Sequence, residues 1–197
     1  MSETALDDAD AVLDFWFGRA DSAEFGQARK AWFAKDESFD AEIRARFGAL
    51  IERALRGELA AWAGAPRSAL AQILLLDQFT RNAFRGTARA FAGDARALAA
   101  ASAMVGTRQD ESLPPFMRAF VYLPFEHAES LAMQDEAVRL FGRLPSDAPD
   151  HASLLEYARR HRAVIERFGR FPHRNEVLGR RSTAEEIAFI KQPGSGF

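Results

Sequence analysis

Apolar residues recur every three or four positions along almost the whole chain, and this spacing predicts amphipathic helices. The clearest helix follows Asp36, a residue type that caps helix starts, and it places Phe39, Ile43 and Phe47 on one face. A second stretch, residues 66–79, is apolar nearly all round, so we expect this helix to be the most buried. No stretch alternates with the period of two that marks a half-buried strand. The pattern therefore predicts an all-α fold.

Proline and glycine divide the chain into its predicted helices. The alanine-rich stretch 87–105 is predicted as one helix. Pro124 interrupts a long apolar segment, and we expect it either to kink a helix or to begin a new one that runs to residue 141. The last predicted helix, 183–190, has Ser182 and Glu185 at capping-box spacing. Helices of these lengths with short connections predict stacked antiparallel hairpins in a single domain that spans the whole chain.

The composition narrows the class of protein. The 197 residues carry a formal net charge of −2, which does not provide the basic surface that nucleic-acid binding requires. The absence of cysteine excludes disulfides, thiolate metal ligands and cysteine nucleophiles. The chain does not begin with the basic and apolar stretches of a signal peptide, and no apolar run approaches the roughly 20 residues that span a bilayer. We therefore expect a cytoplasmic domain that binds neither nucleic acid nor membranes.

Four motifs along the chain are distinctive. They are VLDFWFG at 12–18, LLDQFTRN at 75–82, YLPFEHAE at 122–129, and the stretch 161–181, which contains FPHRN. Together they resemble the DUF924 family of bacterial proteins, and the resemblance covers almost the whole chain. It implies a tetratricopeptide-like (TPR-like) all-α fold, in which helical hairpins stack into a curved array. It implies no assigned activity.

Several polar side chains lie on helix faces that the pattern predicts to be buried. Asp77 and Arg81 continue the apolar face of the most buried helix, and His161 lies in the middle of an apolar stripe. His127 and Gln134 are predicted to share the inner face of the helix that follows Pro124. Burying a polar group without a partner costs about 1 to 3 kcal/mol. The sequence therefore predicts that these five residues form one buried network.

Each of these residues also fits an ordinary structural role. Asp77 and Arg81 have the spacing of an ion pair at a helix end. A histidine on an apolar face is more often a hydrogen-bonded core residue than a functional group, and Gln134 fits a bridge between two helices. A carboxylate beside a histidine would instead fix its tautomer and raise its basicity. Asp77, His127 and His161 are therefore the candidate catalytic residues, and Arg81 and Gln134 are candidate binding residues.

A second candidate site is basic. Arginines crowd the stretch 159–181, where Arg170, His173 and Arg174 flank a turn at the predicted start of a short helix. A helix start attracts anions, and arginine binds carboxylate or phosphate through two parallel hydrogen bonds. These three residues are therefore predicted to bind an anion. In the alternative interpretation the arginines form a solvated face that pairs with nearby glutamates, namely Glu156, Glu166, Glu176, Glu185 and Glu186.

The known motifs of metal and hydrolase sites are missing from the sequence. Glu126, His127 and Glu129 only superficially match the spacing of di-iron bundles, since their order differs and no second motif occurs. We therefore predict no metal and no cofactor, and keep Glu126 and Glu129 as binding candidates. The leading hypothesis is a helical-array module that binds a small anionic ligand or a peptide end in a polar-lined groove. The alternative is a small-molecule hydrolase or lyase with His127 or His161 as general base.

Overall fold

The computed structural model describes residues 3–27, 29–32, 34–146 and 150–192, and these residues contain helices and no strand. The α-helices are α1 (Glu3–Phe17), α2 (Glu37–Arg56), α3 (Pro66–Leu74), α4 (Thr80–Ala83), α5 (Asp94–Gly106), α6 (Pro115–Glu126), α7 (Leu131–Phe141), α8 (His151–Phe168) and α9 (Ala184–Ile190). Helix α3 packs against α1, α5 and α6, and α7 packs against α6 and α8. The predicted all-α fold is confirmed, and the TPR-like arrangement remains a prediction.

The ends of α2 follow directly from its sequence. The carboxylate of Asp36 accepts hydrogen bonds from the backbone N–H groups of Ser38 and Phe39, at 3.0 and 3.1 Å. These are donors that the first turn of a helix leaves without an internal partner. At the other end, Gly57 takes a left-handed conformation with φ of 80°, which a residue without Cβ adopts at little cost. The predicted start of this helix at Asp36 is therefore confirmed, and the helix ends at Gly57.

Helix α9 has a capping box, but one residue later than predicted. The Thr183 hydroxyl accepts from the N–H of Glu186 at 3.2 Å, and the Glu186 carboxylate accepts from the N–H of Thr183 at 2.7 Å. Ser182 lies one position before the residue that caps the helix, and its hydroxyl instead accepts a hydrogen bond from Asn175 at 3.1 Å. The predicted pair of Ser182 and Glu185 is therefore wrong.

The centre of the core is α3 and the turn that follows it. The side chains from Ile73 to Leu76 are fully buried, which confirms that this helix is the most buried. The helical backbone continues through one π turn, Leu75–Phe79, into α4. Phe79 packs against the aromatic rings of α1 and α2, at centroid distances of 5.1 to 5.9 Å. Such π turns frequently occur at functional sites, and this one contains the buried Asp77.

The predicted single helix at 87–105 is wrong. A 3-10 helix, Ala88–Phe91, is followed by a separate α5 that begins at Asp94. The reason lies at Gly93, where an added Cβ would be only 2.1 Å from the carbonyl oxygen of Leu76. Only glycine permits two backbones to approach so closely. This contact places the start of α5 directly against the π turn.

Pro124 neither ends α6 nor begins the next helix. Helix α6 runs through it to Glu126, and α7 begins only at Leu131. The proline removes one backbone donor, but the burial of nearly every side chain from residue 117 to 126 keeps the helix continuous. As a result, His127 lies just after the end of α6. The prediction that it shares a face of one helix with Gln134 is wrong.

Candidate functional site

Polar side chains from five parts of the chain meet at one buried place beside the π turn. We call this group the central polar cluster and define it as Asp77, Arg81, Asp94, Glu126, His127, His161 and Arg174. Four of the five residues of the predicted network belong to it. The fifth, Gln134, contacts its edge.

Asp77 contacts both Arg81 and His127 and so connects these two members of the cluster. Its side chain is 1% exposed. One carboxylate oxygen lies 2.7 Å from Nδ1 of His127, and the other accepts from Gln78 at 2.6 Å. Nη1 of Arg81 lies 3.1 Å from the carboxylate, so the predicted ion pair is present. Burial alone would raise the pKa of this carboxyl, but Arg81 and then His127 lower it well below its usual range. Asp77 is therefore ionised at neutral pH.

The hydrogen bond to Asp77 fixes the tautomer of His127. An ionised carboxylate only accepts hydrogen bonds, so Nδ1 of the ring carries the proton and Nε2 carries a lone pair. Nε2 makes no hydrogen bond to any of the described residues, and the side chain is 15% exposed. Burial, followed by the charge of Arg81, lowers the pKa of His127. The ring is therefore a neutral, oriented imidazole whose lone pair is available.

Arg81 and Asp94 form the outer part of the cluster. Arg81 donates to both carboxylate oxygens of Asp94, at 2.8 and 3.1 Å, and to the backbone carbonyl of Asp77 at 2.8 Å. Asp94 was not among the residues predicted from the sequence. A signal was available, since Asp94 is the only acidic residue between positions 78 and 109, a stretch that contains several arginines.

Arg174 enters the cluster from the 3-10 helix that follows α8. Its side chain is 7% exposed, and its guanidinium lies over the rings of Phe91 and Phe171, at 4.7 and 4.4 Å from their centroids. Its hydrogen bond to Asp94 is long, at 3.3 Å, and its buried Nε has no hydrogen-bond partner among the described residues. Burial, and then the charge of Arg81, lower the pKa of Arg174 to about 10. It is the most weakly compensated charge of the cluster.

Glu126 and His161 meet as neutral groups. Nδ1 of His161 lies 2.9 Å from the carbonyl oxygen of Tyr157, to which it donates, and 3.3 Å from the carboxyl of Glu126. Burial, and then the negative Asp77, raise the pKa of Glu126 to about 8. Burial lowers the pKa of His161 to about 3. At neutral pH the carboxyl therefore keeps its proton, and the contact is not a salt bridge.

Comparison with known proteins identifies the family. The family model of DUF924, a bacterial protein of unknown function, matches residues 12–194. The chain belongs to this family. A solved structure of a protein of unknown function from Agrobacterium tumefaciens is 38% identical, with a TM-score of 0.82, and the match covers 96% of this chain and 99% of that one. A comparison with curated proteins finds no match. The resemblance predicted from the sequence is confirmed, and these comparisons assign no activity to it.

Two predicted binding residues of this DUF924 chain support the cluster from outside. The side-chain amide of Gln134 donates to the backbone carbonyl of Glu126 at 2.6 Å, and so fixes the turn that carries His127. Glu129 accepts two hydrogen bonds from Arg180, at 2.6 and 2.9 Å. Glu129 also accepts a hydrogen bond from the backbone N–H of Phe171. Together these bonds hold the segment after α8 against the end of α6. Both residues therefore position other groups.

The predicted basic site divides into two parts. Arg170 donates to both carboxylate oxygens of Glu186, at 2.7 and 2.9 Å, whereas Arg174 turns into the central polar cluster. His173 lies beside Phe171, with ring centroids 5.6 Å apart, and burial lowers its pKa to about 4. Other arginines pair with glutamates, as the alternative interpretation expected: Arg159 with Glu156, Arg162 with Glu166, and Arg167 with Glu185.

The cluster opens to solvent along a narrow rim. Its most exposed members are Asp94, Arg81 and His127, whose side chains are 22, 19 and 15% exposed. Two surface depressions of about 400 Å³ lie elsewhere, between α1 and α2 and beside the start of α3. In the described ranges, no three or more histidines, aspartates or glutamates are grouped so that they could hold a metal ion. None of the helices described has the length and apolar character needed to cross a membrane.

Proposed function

We propose that the central polar cluster binds the carboxylate or phosphate group of a small molecule, or the carboxylate end of a peptide, through Arg174. One observation carries this proposal: a buried guanidinium whose Nε makes no hydrogen bond to any described residue. An unsatisfied buried donor costs about 1 to 3 kcal/mol. The partner it has, Asp94, already receives two hydrogen bonds from Arg81. An external anion would supply the acceptor that is lacking.

The surroundings of Arg174 favour an anion that offers two neighbouring oxygen acceptors. Phe91 and Phe171 contact the guanidinium and restrict its orientation. The fork of donors in arginine matches the geometry of a carboxylate or a phosphate, and a restricted fork loses less entropy on binding. The Glu126 carboxyl is protonated at neutral pH and therefore does not repel an anion.

The test is titration with inorganic phosphate, acetate and an N-acetylated dipeptide at constant ionic strength, followed by thermal unfolding and calorimetry. We expect saturable stabilisation, because a ligand that binds only the folded state raises its stability. Arg174→Met should weaken binding at least about tenfold, since a hydrogen bond to a charged group contributes about 1.5 to 3 kcal/mol. Tighter binding of the dipeptide than of acetate would identify a peptide end as the ligand.

Arg167→Met is the matched control. Arg167 is half-exposed and pairs with Glu185, so this variant should bind phosphate like the wild type. The proposal is wrong if no anion stabilises the wild type at tens of millimolar, or if Arg174→Met responds as strongly as the wild type.

A further inference from the structure

We infer that His127 is also a catalytic base: its Nε2 removes a proton from the molecule whose anionic group is held by Arg174, and Asp77 positions the imidazole. This inference rests on the proposed anion site, because Arg174 places the substrate. The two residues belong to the same cluster and are connected by a row of rings. Arg174 contacts Phe171, the ring of Phe171 lies 5.5 Å from that of His161, and the rings of His161 and His127 are 6.3 Å apart.

The geometry around His127 is that of an oriented base. Asp77 binds Nδ1 at 2.7 Å, which leaves the lone pair of Nε2 without a partner among the described residues. An ionised carboxylate at this position also stabilises the imidazolium that forms when Nε2 takes up a proton. The His127 side chain is 15% exposed at the rim of the cluster, against 6% for His161, so it is the one of these two rings that is more open to a molecule from solvent.

His161 lacks these properties. Its Nδ1 lies against the backbone carbonyl of Tyr157, which carries no charge to stabilise an imidazolium. Its side chain is only 6% exposed, and the neighbouring Glu126 is neutral. Of the two histidines predicted as bases, His127 is therefore the one that can act on a ligand.

The step itself is a proton abstraction, as in an elimination. The C–H bond of the bound molecule breaks, its electron pair stays on the molecule, and the proton moves to Nε2 of His127. That electron pair then forms the new π bond while the leaving group departs with the electrons of its own bond. The imidazolium remains paired with Asp77 until it releases the proton to water, which restores the neutral base.

A neutral probe that requires only a base tests this step. In 5-nitrobenzisoxazole a base removes the ring C–H proton, the N–O bond breaks, and a coloured cyano-nitrophenolate forms. Wild-type protein should cleave the probe at least about tenfold faster than His127→Gln, since general bases contribute about 10² to 10⁴-fold. Phosphate should inhibit the wild type, because it occupies the same site.

The role of Asp77 needs a readout that a structural residue would not change. The pH–rate profile should rise as His127 loses its proton, and Asp77→Asn should move the apparent pKa of this rise downwards, because the carboxylate raises the pKa of the imidazole. His151→Gln is the matched control. His151 precedes His161 by ten helical residues, which is about 15 Å along α8, and this variant should cleave the probe like the wild type.

A second measurement applies even if His127→Gln does not fold. Diethyl pyrocarbonate acylates accessible, unprotonated imidazoles, and mass spectrometry should find His127 modified faster than His161 or His173, with protection by phosphate. If the wild type binds phosphate but neither cleaves the probe through His127 nor shows this modification, the present inference alone is wrong. If it binds no phosphate, carboxylate or peptide end, the proposed function is wrong, and the placement of the substrate by Arg174 fails with it.

Discussion

Two groups of charges, each around a buried aspartate, lie near α4, and they are paired to very different extents. In the first, which we call the Asp40 cluster (Asp40, Asn82 and Arg85), the carboxylate accepts one hydrogen bond from Asn82 at 2.7 Å and two from Arg85, at 2.7 and 3.0 Å. Both oxygens are used, and the cluster ties α2 to α4. Burial raises the pKa of Asp40, but the bonds to Arg85 and Asn82 outweigh it and lower the pKa.

The central polar cluster leaves one buried donor without a partner. The single carboxylate of Asp94 serves both Arg81 and Arg174, and Nε of Arg174 remains without a partner among the described residues. Glu126, which could have supplied a negative charge, is protonated at neutral pH. A fully paired buried cluster is explained by architecture alone. A buried donor without a partner is costly unless something outside the chain provides an acceptor, and the Asp40 cluster contains no such donor among the described residues.

The largest effect is expected from Gly93→Ala, which changes the backbone contact beside the central polar cluster. The new Cβ would lie 2.1 Å from the backbone oxygen of Leu76, so α5 must move away and take Asp94 with it. We expect a loss of about 3 kcal/mol in the free energy of unfolding, the upper part of the range for overpacking. Denaturant unfolding would measure it. Gly106→Ala is the control, since it points into open space at the end of the same helix. A Gly93→Ala protein as stable as the wild type would contradict the close approach.

The next prediction compares the loss of stability when Arg85 of the Asp40 cluster or Arg174 of the central polar cluster is replaced. Arg85→Met should cost about 2 to 3 kcal/mol, somewhat below the usual loss for a broken buried pair because Arg85 is partly exposed. Arg174→Met should change the free energy of unfolding by less than about 1 kcal/mol or increase it, because a poorly paired buried charge is replaced by an apolar side chain while Asp94 keeps Arg81. Equal losses in urea unfolding for the two variants would show that both clusters are structural.

The smallest effect is a pH dependence at Glu126. Its folded pKa of about 8 exceeds the ordinary value of 4.5, so its contribution to stability is complete below about pH 4.5 and is lost as the pH rises towards 8. Glu126→Gln cannot ionise and should avoid this loss of about 1.4 kcal/mol per pH unit. The variant should therefore gain roughly 2 kcal/mol over the wild type between pH 5 and pH 6.5.

Asp40→Asn provides the control of opposite sign. The pKa of Asp40 is lowered in the folded protein, so its contribution is present above its unfolded pKa and disappears in acid. Asp40→Asn should be less stable than the wild type at pH 7, and the difference in stability should disappear as the pH falls. Thermal unfolding across the pH range measures both variants. If Glu126→Gln follows the same pH dependence as the wild type, the buried carboxyl is not protonated.

Much of the candidate site could be predicted from polar residues on helix faces that the apolar pattern predicts to be buried. Asp77, Arg81 and His161 meet as predicted, because a polar residue on an apolar stripe must find a partner where the stripes of packed helices meet. His127 joined them for a different reason than predicted, since it lies at the end of α6. Asp94 was missed because its position depends on the contact of Gly93 with the π turn, and no pattern in the sequence shows that contact.

Local sequence patterns predict most of the helices, several of their ends and the faces that are buried, because periodicity, capping and glycine conformation are properties of a few neighbouring residues. Which charges pair depends instead on contacts between distant parts of the chain. Arg170 and Arg174 are four residues apart in one basic stretch, yet the first binds Glu186 and the second enters the central polar cluster. The protonation of Glu126 is decided in the same way, because its pKa depends on burial and on the charge of Asp77, a residue distant in sequence.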